Sequence, residues 1–311
     1  MNLGRTSARL VLGCAQLGMP YGRSNSVGLV PEAEAIALVH EAVELGVNDF
    51  DTARAYGASE AILGKSLSRR RDVSIVTKLS PLNDLSPDAS HTDVSAAVQA
   101  SLDASAAALD GIAPPRLLLH RAAHRTAYGG AIWDILRLAR EKGRVSALGV
   151  SAARVEELLE SLSDPDVEHV QFPVNILDSR WRSARVLEAL RARPDVCVHG
   201  RSIFLQGLLL SSAEVWPPVS GVDPKAIIAA LSRISSSLGR SDASLCIGFA
   251  RALPRTDGIV IGVETREQLR RNVAFFREPP IDSAVIGNIT DGFEALPDEL
   301  LDPFRWPVTP S

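Results

Sequence analysis

The stretch "VNDFDTARAYGASEAILGKSL", residues 47–67, contains the change of hydrophobic pattern on which the fold assignment depends. Its opening apolar run is typical of a short buried strand, and its later part has the apolar spacing of a helix. Asp51 and Tyr56 lie five positions apart at the change. Taken alone, Asp51 is more typical of a turn or a helix cap than of catalysis, so the rest of the chain must decide its role.

The same strand-then-helix unit recurs along the chain. Regular alternation of this kind indicates a parallel sheet, and eight units fit a closed (β/α)₈ TIM barrel better than an open doubly wound sheet. No GxGxxG follows any of the apolar runs, which removes the main support for an open dinucleotide-binding fold. No linker divides the chain, so we predict one domain over residues 1–311. The predicted strands are residues 9–14, 47–50, 73–78, 116–120, 145–150, 168–174, 196–204 and 258–262.

Composition and charge exclude several classes of protein. The chain has 311 residues, a net charge of −4 and scattered basic residues, so we expect neither a nucleic-acid nor a membrane partner. Cys14, Cys197 and Cys246 are widely spaced without a CxxC motif, which argues against a disulfide framework and against a zinc site. With no signal-peptide pattern and no long apolar run, we predict a cytoplasmic enzyme of small-molecule chemistry that lacks a metal.

Polar residues stand where apolar runs of the predicted barrel stop. Asp51, Lys78, His120 and Ser151 each end or follow such a run, and Gln171 lies inside an otherwise apolar one. In a closed barrel the carboxyl ends of the strands share one rim, which is where TIM-barrel active sites lie. Residues far apart in sequence are therefore expected to meet in one pocket. Residues 208–224 form a loop long enough to cover the mouth of that pocket.

These motifs, taken in order, resemble the aldo-keto reductase superfamily. The resemblance rests on "NDFDTARAYGASEAILGKSL", "TK" at 77–78, "LLLH" at 117–120, "GRVSALGVS" at 143–151 and "QFPVN" at 171–175, and it covers about residues 12–272. It implies a TIM barrel, NAD(P)H-dependent reduction of a carbonyl group, and a catalytic tetrad. The tetrad residues would be Asp51, Tyr56, Lys78 and His120.

Each tetrad residue type suits one part of carbonyl reduction. When a hydride reaches a carbonyl carbon, the oxygen gains charge and needs a proton, which Tyr56 is expected to donate. A neighbouring Lys78 ammonium is expected to lower the high pKa of the phenol. Asp51 offers the carboxylate that keeps a buried lysine charged. His120 would orient the substrate oxygen or help relay the proton.

The resemblance also assigns a cofactor site. The backbone of Gly13, Cys14 and Ala15 would pass the nicotinamide, and Ser151 and Gln171 would bind its carboxamide. Ala152 replaces an asparagine frequent beside that serine. Arg201, followed by Ser202, stands where many relatives carry a tyrosine that stacks on the nicotinamide ring, and a guanidinium plane can also stack there. The adenosine and phosphate end would meet Gly262, Glu264, Gln268 and Asn272.

Glu264 bears on the choice between NAD(H) and NADP(H). Several relatives have a basic residue at this position for the 2′-phosphate, whereas a carboxylate repels a phosphate and accepts hydrogen bonds from a free ribose hydroxyl. The sequence thus favours NAD(H), although Arg266, Arg270 or Arg271 could supply the positive charge that NADP(H) needs.

Three functions remain open on the sequence. The first is an oxidoreductase that interconverts an aldehyde or ketone and its alcohol, with sugar-like compounds among the candidate substrates. The second is a nucleotide-sensing regulatory subunit of the same fold with little turnover. The third is a cofactor-independent (β/α)₈ lyase or isomerase that forms a Schiff base at Lys78. The sequence predicts no oligomeric state.

Overall fold

The computed structural model describes residues 8–282, 285–287, 289, 293 and 296–306. Eight parallel strands, each hydrogen-bonded to the next, form a closed barrel, which confirms the predicted fold class. The first seven and last five residues of the predicted domain lie outside the described residues. The strands are β1 (Arg9–Gly13), β2 (Asp49–Asp51), β3 (Ser74–Lys78), β4 (Arg116–Leu119), β5 (Ala147–Ser151), β6 (His169–Pro173), β7 (Cys197–Arg201) and β8 (Gly258–Gly262).

The barrel closes where β8 pairs with β1. Leu12 lies opposite Ile261, and on its other side opposite Phe50 of β2. Each predicted run overlaps one observed strand, but β2 and β5 end one residue later than predicted, at Asp51 and Ser151, and β7 is shorter than predicted. It ends at Arg201 because Ser202 adopts a positive φ of 58°, which an extended strand cannot continue.

Helices cover the outside of the barrel. Two of them end at the glycines that the sequence indicates. Gly46, with φ of 86°, follows the helix that begins after residue 31, and Gly143, also with positive φ, follows the helix that ends at residue 141. Two helices rather than one separate β7 from β8. The α-helices are α1 (Ala15–Gly18), α2 (Glu32–Glu44), α3 (Ser59–Leu67), α4 (His91–Ala108), α5 (Ala131–Glu141), α6 (Val155–Leu162), α7 (Ala184–Ala192), α8 (Pro224–Ser237), α9 (Asp242–Ala252), α10 (Arg266–Arg277) and α11 (Asp298–Leu301).

Apolar side chains fill the layer between the strands and the helices. Phe50, Leu117, Leu148 and Ile259 are examples of strand residues that are fully or almost fully buried there. The interior of a TIM barrel is usually filled by branched aliphatic side chains. Here the buried residues also include a polar set on the strands, which consists of Asp49, Asp51, Thr77, Lys78, Ser151, His169, Gln171 and His199.

No helix within the described part of the chain is long and apolar enough to span a membrane.

Candidate active site

Asp51 and Lys78 form a buried ion pair at the rim of the barrel. They are the last residues of the neighbouring strands β2 and β3, so their side chains enter the barrel together. Lys78 Nζ donates to Asp51 Oδ1 at 2.6 Å and to the carbonyl oxygen of Thr52 at 3.0 Å. The Lys78 side chain is 1% exposed. Removal of one partner would leave the other charge buried and unpaired.

Gln171 binds the second oxygen of Asp51. Its Nε2 donates to Asp51 Oδ2 at 2.7 Å, across the barrel from β6. Its Oε1 is buried and has no hydrogen-bond partner among the described residues. The sequence assigned Gln171 to the cofactor alone, whereas the structure shows it bound to the tetrad aspartate with its acceptor oxygen still unused.

The backbone around Tyr56 packs tightly against the loop after β1. The Ala58 N–H donates to the carbonyl oxygen of Gly18 at 3.3 Å. A Cβ atom at Gly18 would lie 2.0 Å from the Tyr56 carbonyl oxygen, and one at Gly57 would lie 2.2 Å from the Gly18 carbonyl oxygen. Only glycine permits these two loops to approach so closely, and their contact fixes the position of Tyr56.

Tyr56 lies beside both Lys78 and His120. The Lys78 ammonium is 5.1 Å from the centroid of the Tyr56 ring, and the His120 ring meets it edge-on at a centroid distance of 5.7 Å. Burial, and then the charge of Asp51, raise the pKa of Tyr56, whereas the Arg201 guanidinium opposes the rise. This result differs from the expected lowering by Lys78, whose charge is compensated by Asp51. The phenol therefore keeps its proton at neutral pH.

His120 is neutral in the structure. Burial, followed by the positive charges of Lys78 and Arg201, lowers the pKa of His120 to about 3. Its Nδ1 is buried and has no hydrogen-bond partner among the described residues. A neutral imidazole can donate a hydrogen bond with one nitrogen and accept with the other.

A single cavity of about 1010 Å³ extends from the tetrad across the barrel mouth. Its volume reaches the upper end of the range typical of ligand pockets, which suits a large ligand such as a dinucleotide. Of the residues predicted for the site, Lys78 alone does not line this cavity within the described residues. The predicted residues that do line it are Gly13, Cys14, Ala15, Asp51, Tyr56, His120, Ser151, Gln171, Arg201, Ser202, Gly262, Glu264, Gln268 and Asn272.

A glycine at one wall of the cavity lets the Gln16 side chain lie against the backbone. A Cβ atom at Gly262 would lie 2.4 Å from Oε1 of Gln16, which also lines the cavity. Gly262 is followed by α10, whose first turn is capped by Thr265 Oγ1, which accepts from the Gln268 N–H at 3.1 Å. A helix N-terminus at the wall of the cavity suits the phosphates of a nucleotide. The residues present therefore fit the dinucleotide cofactor that the sequence predicts.

Two of the three arginines near Glu264 are engaged elsewhere. Arg266 lies 3.5 Å from Glu34, and Arg270 contacts Glu41, both on α2. Arg271, in contrast, lines the same cavity as Glu264. Burial raises the pKa of Glu264. The Gln268 side chain, predicted on the adenine side, accepts from the Glu264 N–H at 2.7 Å and so also holds this turn.

Arg201 and Ala152, two of the departures from the family pattern, contact each other. The Arg201 Nη2 donates to the carbonyl oxygen of Ala152 at 3.1 Å, and Nη1 donates to Ser202 Oγ at 3.3 Å. Arg201 Nε is buried without a hydrogen-bond partner among the described residues. The guanidinium thus lies on the wall of the cavity, close enough to Tyr56 to oppose the rise of its pKa.

Tyr21 was missed by the sequence analysis. Its ring lies 6.3 Å from that of Tyr56, centroid to centroid, and its hydroxyl accepts from Gln206 Nε2 at 3.5 Å. Both residues line the cavity. Tyr21 follows the first strand, so the rule that strand-following loops carry the site could have found it.

Glu60, a further residue that was missed, supports the Tyr56 loop from below. It lies on α3, is 1% exposed, and forms an ion pair with Arg54. Its Oε1 accepts from Thr77 Oγ1 at 2.5 Å and from Ser105 Oγ at 2.9 Å. These partners compensate the buried carboxylate and join α3 to the loop after β2, to β3 and to α4.

The first half of the loop at 208–224 lies along the cavity. Leu209, Leu210, Ser211 and Val215 contribute to its lining. Arg23 Nε donates to the Val215 carbonyl oxygen at 2.7 Å, which ties this loop to the one after β1. The loop therefore borders the site, as predicted for a segment that covers the barrel mouth.

Comparison with known proteins agrees with this geometry. The sequence model of the Aldo/keto reductase family matches residues 9–292. An aldo-keto reductase from Bacillus halodurans, in its holo form, is similar in structure, with a TM-score of 0.74, 20% identity and 93% of each chain covered. A thermostable aldo-keto reductase in complex with the inhibitor epalrestat has a TM-score of 0.69 and 19% identity, with 94% of this chain and 97% of that chain covered.

An eight-stranded barrel with ionisable side chains at its rim and a dinucleotide-sized cavity fits a cofactor-dependent oxidoreductase. The chain belongs to the aldo/keto reductase family. Membership implies NAD(P)H-dependent reduction of small carbonyl compounds.

Proposed function

We propose that this protein interconverts an aldehyde or ketone and its alcohol, with Tyr56 as the proton donor. The observation that carries the proposal is the joint position of Tyr56, His120 and the Lys78–Asp51 pair at one end of the cavity. Sugar-like carbonyl compounds remain the first class of substrate to test. The polar side chains of Tyr21 and Gln206 at the cavity support that class.

The proton step follows from the state of the Tyr56 side chain. A bound reduced nicotinamide supplies the hydride to the carbonyl carbon. Tyr56 gives its hydroxyl proton to the carbonyl oxygen as the π bond breaks, and the resulting phenolate is stabilised by the Lys78 ammonium. Asp51 keeps that ammonium charged inside the barrel. Neutral His120 donates a hydrogen bond to the same carbonyl oxygen and orients it.

The cofactor would lie along the remaining wall of the cavity. Ser151 and the unused Gln171 Oε1 would hold the carboxamide, close to the backbone of Gly13–Ala15. Arg201, held by Ala152 and Ser202, would lie against the nicotinamide. Gly262, Glu264, Gln268 and Asn272 would form the adenosine end.

The charges at the adenosine end support NAD(H) as the preferred cofactor. Glu264 would accept hydrogen bonds from a free ribose hydroxyl, and it would repel a 2′-phosphate. Arg271 is the remaining basic side chain on this part of the cavity, because Arg266 and Arg270 contact carboxylates of α2.

A steady-state assay with Tyr56→Phe tests the proposal. The chain has only three tyrosines, so Tyr128→Phe, at a hydroxyl that donates to the Ser86 carbonyl, is a matched control. With NADH or NADPH and a panel of carbonyl compounds, we expect Tyr56→Phe to lower kcat at least roughly 100-fold while cofactor binding is kept. Tyr128→Phe should retain wild-type kcat. Cofactor binding without turnover by the wild type would support the regulatory alternative instead.

The structure gives no support to a Schiff base at Lys78. Its Nζ donates to Asp51 and to Thr52, and its side chain is almost fully buried, so a neutral nucleophilic amine facing substrate is not available. Borohydride trapping of Lys78 with a carbonyl compound would contradict this conclusion.

A further inference from the structure

Two histidines and a cysteine come together inside the barrel, below the rim described above. His169 is the first residue of β6, and Cys197 and His199 lie on the adjacent strand β7. In the β6–β7 ladder His169 is paired with Cys197, and Gln171 with His199. Cys197 Sγ and one ring nitrogen from each of His169 and His199 lie within 4.8 Å of one another.

The two imidazoles are buried without hydrogen bonds. His169 is 0% exposed and His199 is 1% exposed, and their rings meet edge to face at a centroid distance of 4.2 Å. All four ring nitrogens lack a hydrogen-bond partner among the described residues. An unsatisfied buried polar atom is costly, so four of them in one place point to a missing ligand.

The backbone makes room for this cluster. A Cβ atom at Gly258 of β8 would lie 2.7 Å from both Cδ2 and Nε2 of His199. The absence of a side chain at Gly258 therefore gives the His199 ring its space inside the barrel. A barrel filled only for packing would be expected to carry aliphatic side chains at such positions.

The surroundings favour nitrogen and sulfur ligands. Arg116 Nη1 donates to Cys197 Sγ at 3.3 Å, so the sulfur lies beside the other two candidate ligand residues with a single hydrogen-bond donor on it among the described residues. The ring nitrogens of His169 and His199 are not engaged by any described group, and imidazole nitrogens are the commonest metal ligands in proteins. The nearby cations Arg9 and Lys78 are paired with Asp49 and Asp51, at 3.2 and 2.6 Å.

We propose that His169, Cys197 and His199 bind one Zn²⁺ ion inside the barrel, apart from the catalytic rim. Two neutral imidazoles and one thiolate form a donor set that zinc prefers. Tetrahedral bonds of the usual length need ligand atoms about 3.5 Å apart, so the three ligand atoms, which now lie within 4.8 Å of one another, would move closer together when the ion binds. The ion would join β6 and β7 directly below Gln171 and Arg201.

The proposal revises the expectation that the chain holds no metal. That expectation came from the linear spacing of the cysteines, which shows no zinc motif. Pairing of β6 with β7 brings His169 next to Cys197, although 28 positions separate them in sequence.

Cobalt and zinc titrations of tag-free, chelator-stripped protein test the site. We expect about one Co²⁺ per chain with a thiolate-to-metal absorption band, and displacement of Co²⁺ by Zn²⁺. Cys197→Ser and His199→Gln should weaken Zn²⁺ binding at least roughly 100-fold. The matched controls Cys246→Ser, which alters a buried thiol on α9, and His40→Gln on α2 should not. Binding that is equal in all variants would mean an adventitious ion only and would overturn the proposal.

A second measurement on the wild type avoids any folding defect of the variants. The rate at which iodoacetamide alkylates Cys197 is measured by peptide mapping, with and without Zn²⁺ during the labelling. Bound zinc should slow alkylation of Cys197 at least about tenfold, with no such effect from Mg²⁺, which prefers oxygen ligands. Alkylation of Cys197 at the same rate with and without Zn²⁺ would refute the site.

Discussion

Lys78→Met and Asp51→Asn, alone and together, separate the structural role of the buried ion pair from its catalytic role. In Lys78→Met the Asp51 carboxylate stays buried without its cation, a loss that typically costs about 3–5 kcal/mol of unfolding free energy. This range applies because the pair is buried: the Lys78 and Asp51 side chains are only 1% and 5% exposed. A surface pair would contribute about 1 kcal/mol or less.

The double variant removes both charges. Replacement of a buried ion pair by uncharged groups of similar size is often close to neutral, so we expect most of the lost stability to return. Gln171 can keep a hydrogen bond to residue 51 in Asp51→Asn, because a flip of the Gln171 amide lets its unused Oε1 accept from the new side-chain amide. The activity should not return. The phenolate of Tyr56 would still lack its ammonium, and we expect kcat to stay at least roughly 100-fold below wild type.

Urea unfolding curves and initial rates of NAD(P)H oxidation measure the two quantities on the same samples. The sum of the single losses should exceed the double loss by well over the ~0.5 kcal/mol within which independent sites add. Additive losses would refute the ion-pair argument. A double variant with wild-type kcat would refute the assigned role of Lys78 in the proton step.

Three further predictions concern the loops and the charges of the site. In Gly18→Ala the new Cβ would lie 2.0 Å from the Tyr56 carbonyl oxygen, so we expect the unfolding free energy in urea to fall by about 1–3 kcal/mol. If Tyr56 is displaced by about 1 Å, kcat should fall roughly 100-fold. An unchanged kcat would contradict the packing argument. Glu264→Lys should tighten NADPH binding at least about fivefold in fluorescence titrations, and Glu264→Gln should have an intermediate affinity for NADPH. An unchanged affinity for NADPH would show that Glu264 does not select the cofactor. Neutral His120, with a pKa of about 3 when folded, stabilises the fold above pH ~6.5 and loses that contribution as the pH falls. At pH 5 its loss amounts to about 2 kcal/mol, and His120→Asn should remove this part of the pH dependence of urea unfolding.

The barrel and the members of its rim could be predicted because both depend on local pattern. Each buried parallel strand is a short apolar run, and its end is marked by a polar residue such as Asp51 or Lys78. Neighbouring strands in sequence are neighbours in a TIM barrel, so the contact between these two residues follows from the fold. The approximate strand bounds were sufficient for this step.

Contacts between distant strands could not be predicted in the same way. The bond from Gln171 to Asp51 crosses the barrel, and the bond from Arg201 to Ala152 depends on rotamers and on where β7 ends. A shift of one residue in the bounds of a strand turns its side chains to the other face. The pKa of Tyr56 was misjudged for a related reason, because the sequence did not show that Asp51 compensates the charge of Lys78.

The two polar layers of the barrel interior differ in how their groups are satisfied. At the rim, the oxygens of Asp51 accept from Lys78 and Gln171 at 2.6 and 2.7 Å, and the polar atoms that stay unpaired, such as Gln171 Oε1 and His120 Nδ1, belong to residues that line the cavity. This layer is organised before substrate arrives, which lowers the reorganisation needed for catalysis. One layer below, His169 and His199 have no complementary groups among the described residues, and each unpaired nitrogen costs about 1–3 kcal/mol. Aliphatic side chains would avoid that cost, so the polar groups of the upper layer are accounted for by the chemistry of the site, and those of the lower layer are the reason for proposing a bound ion there.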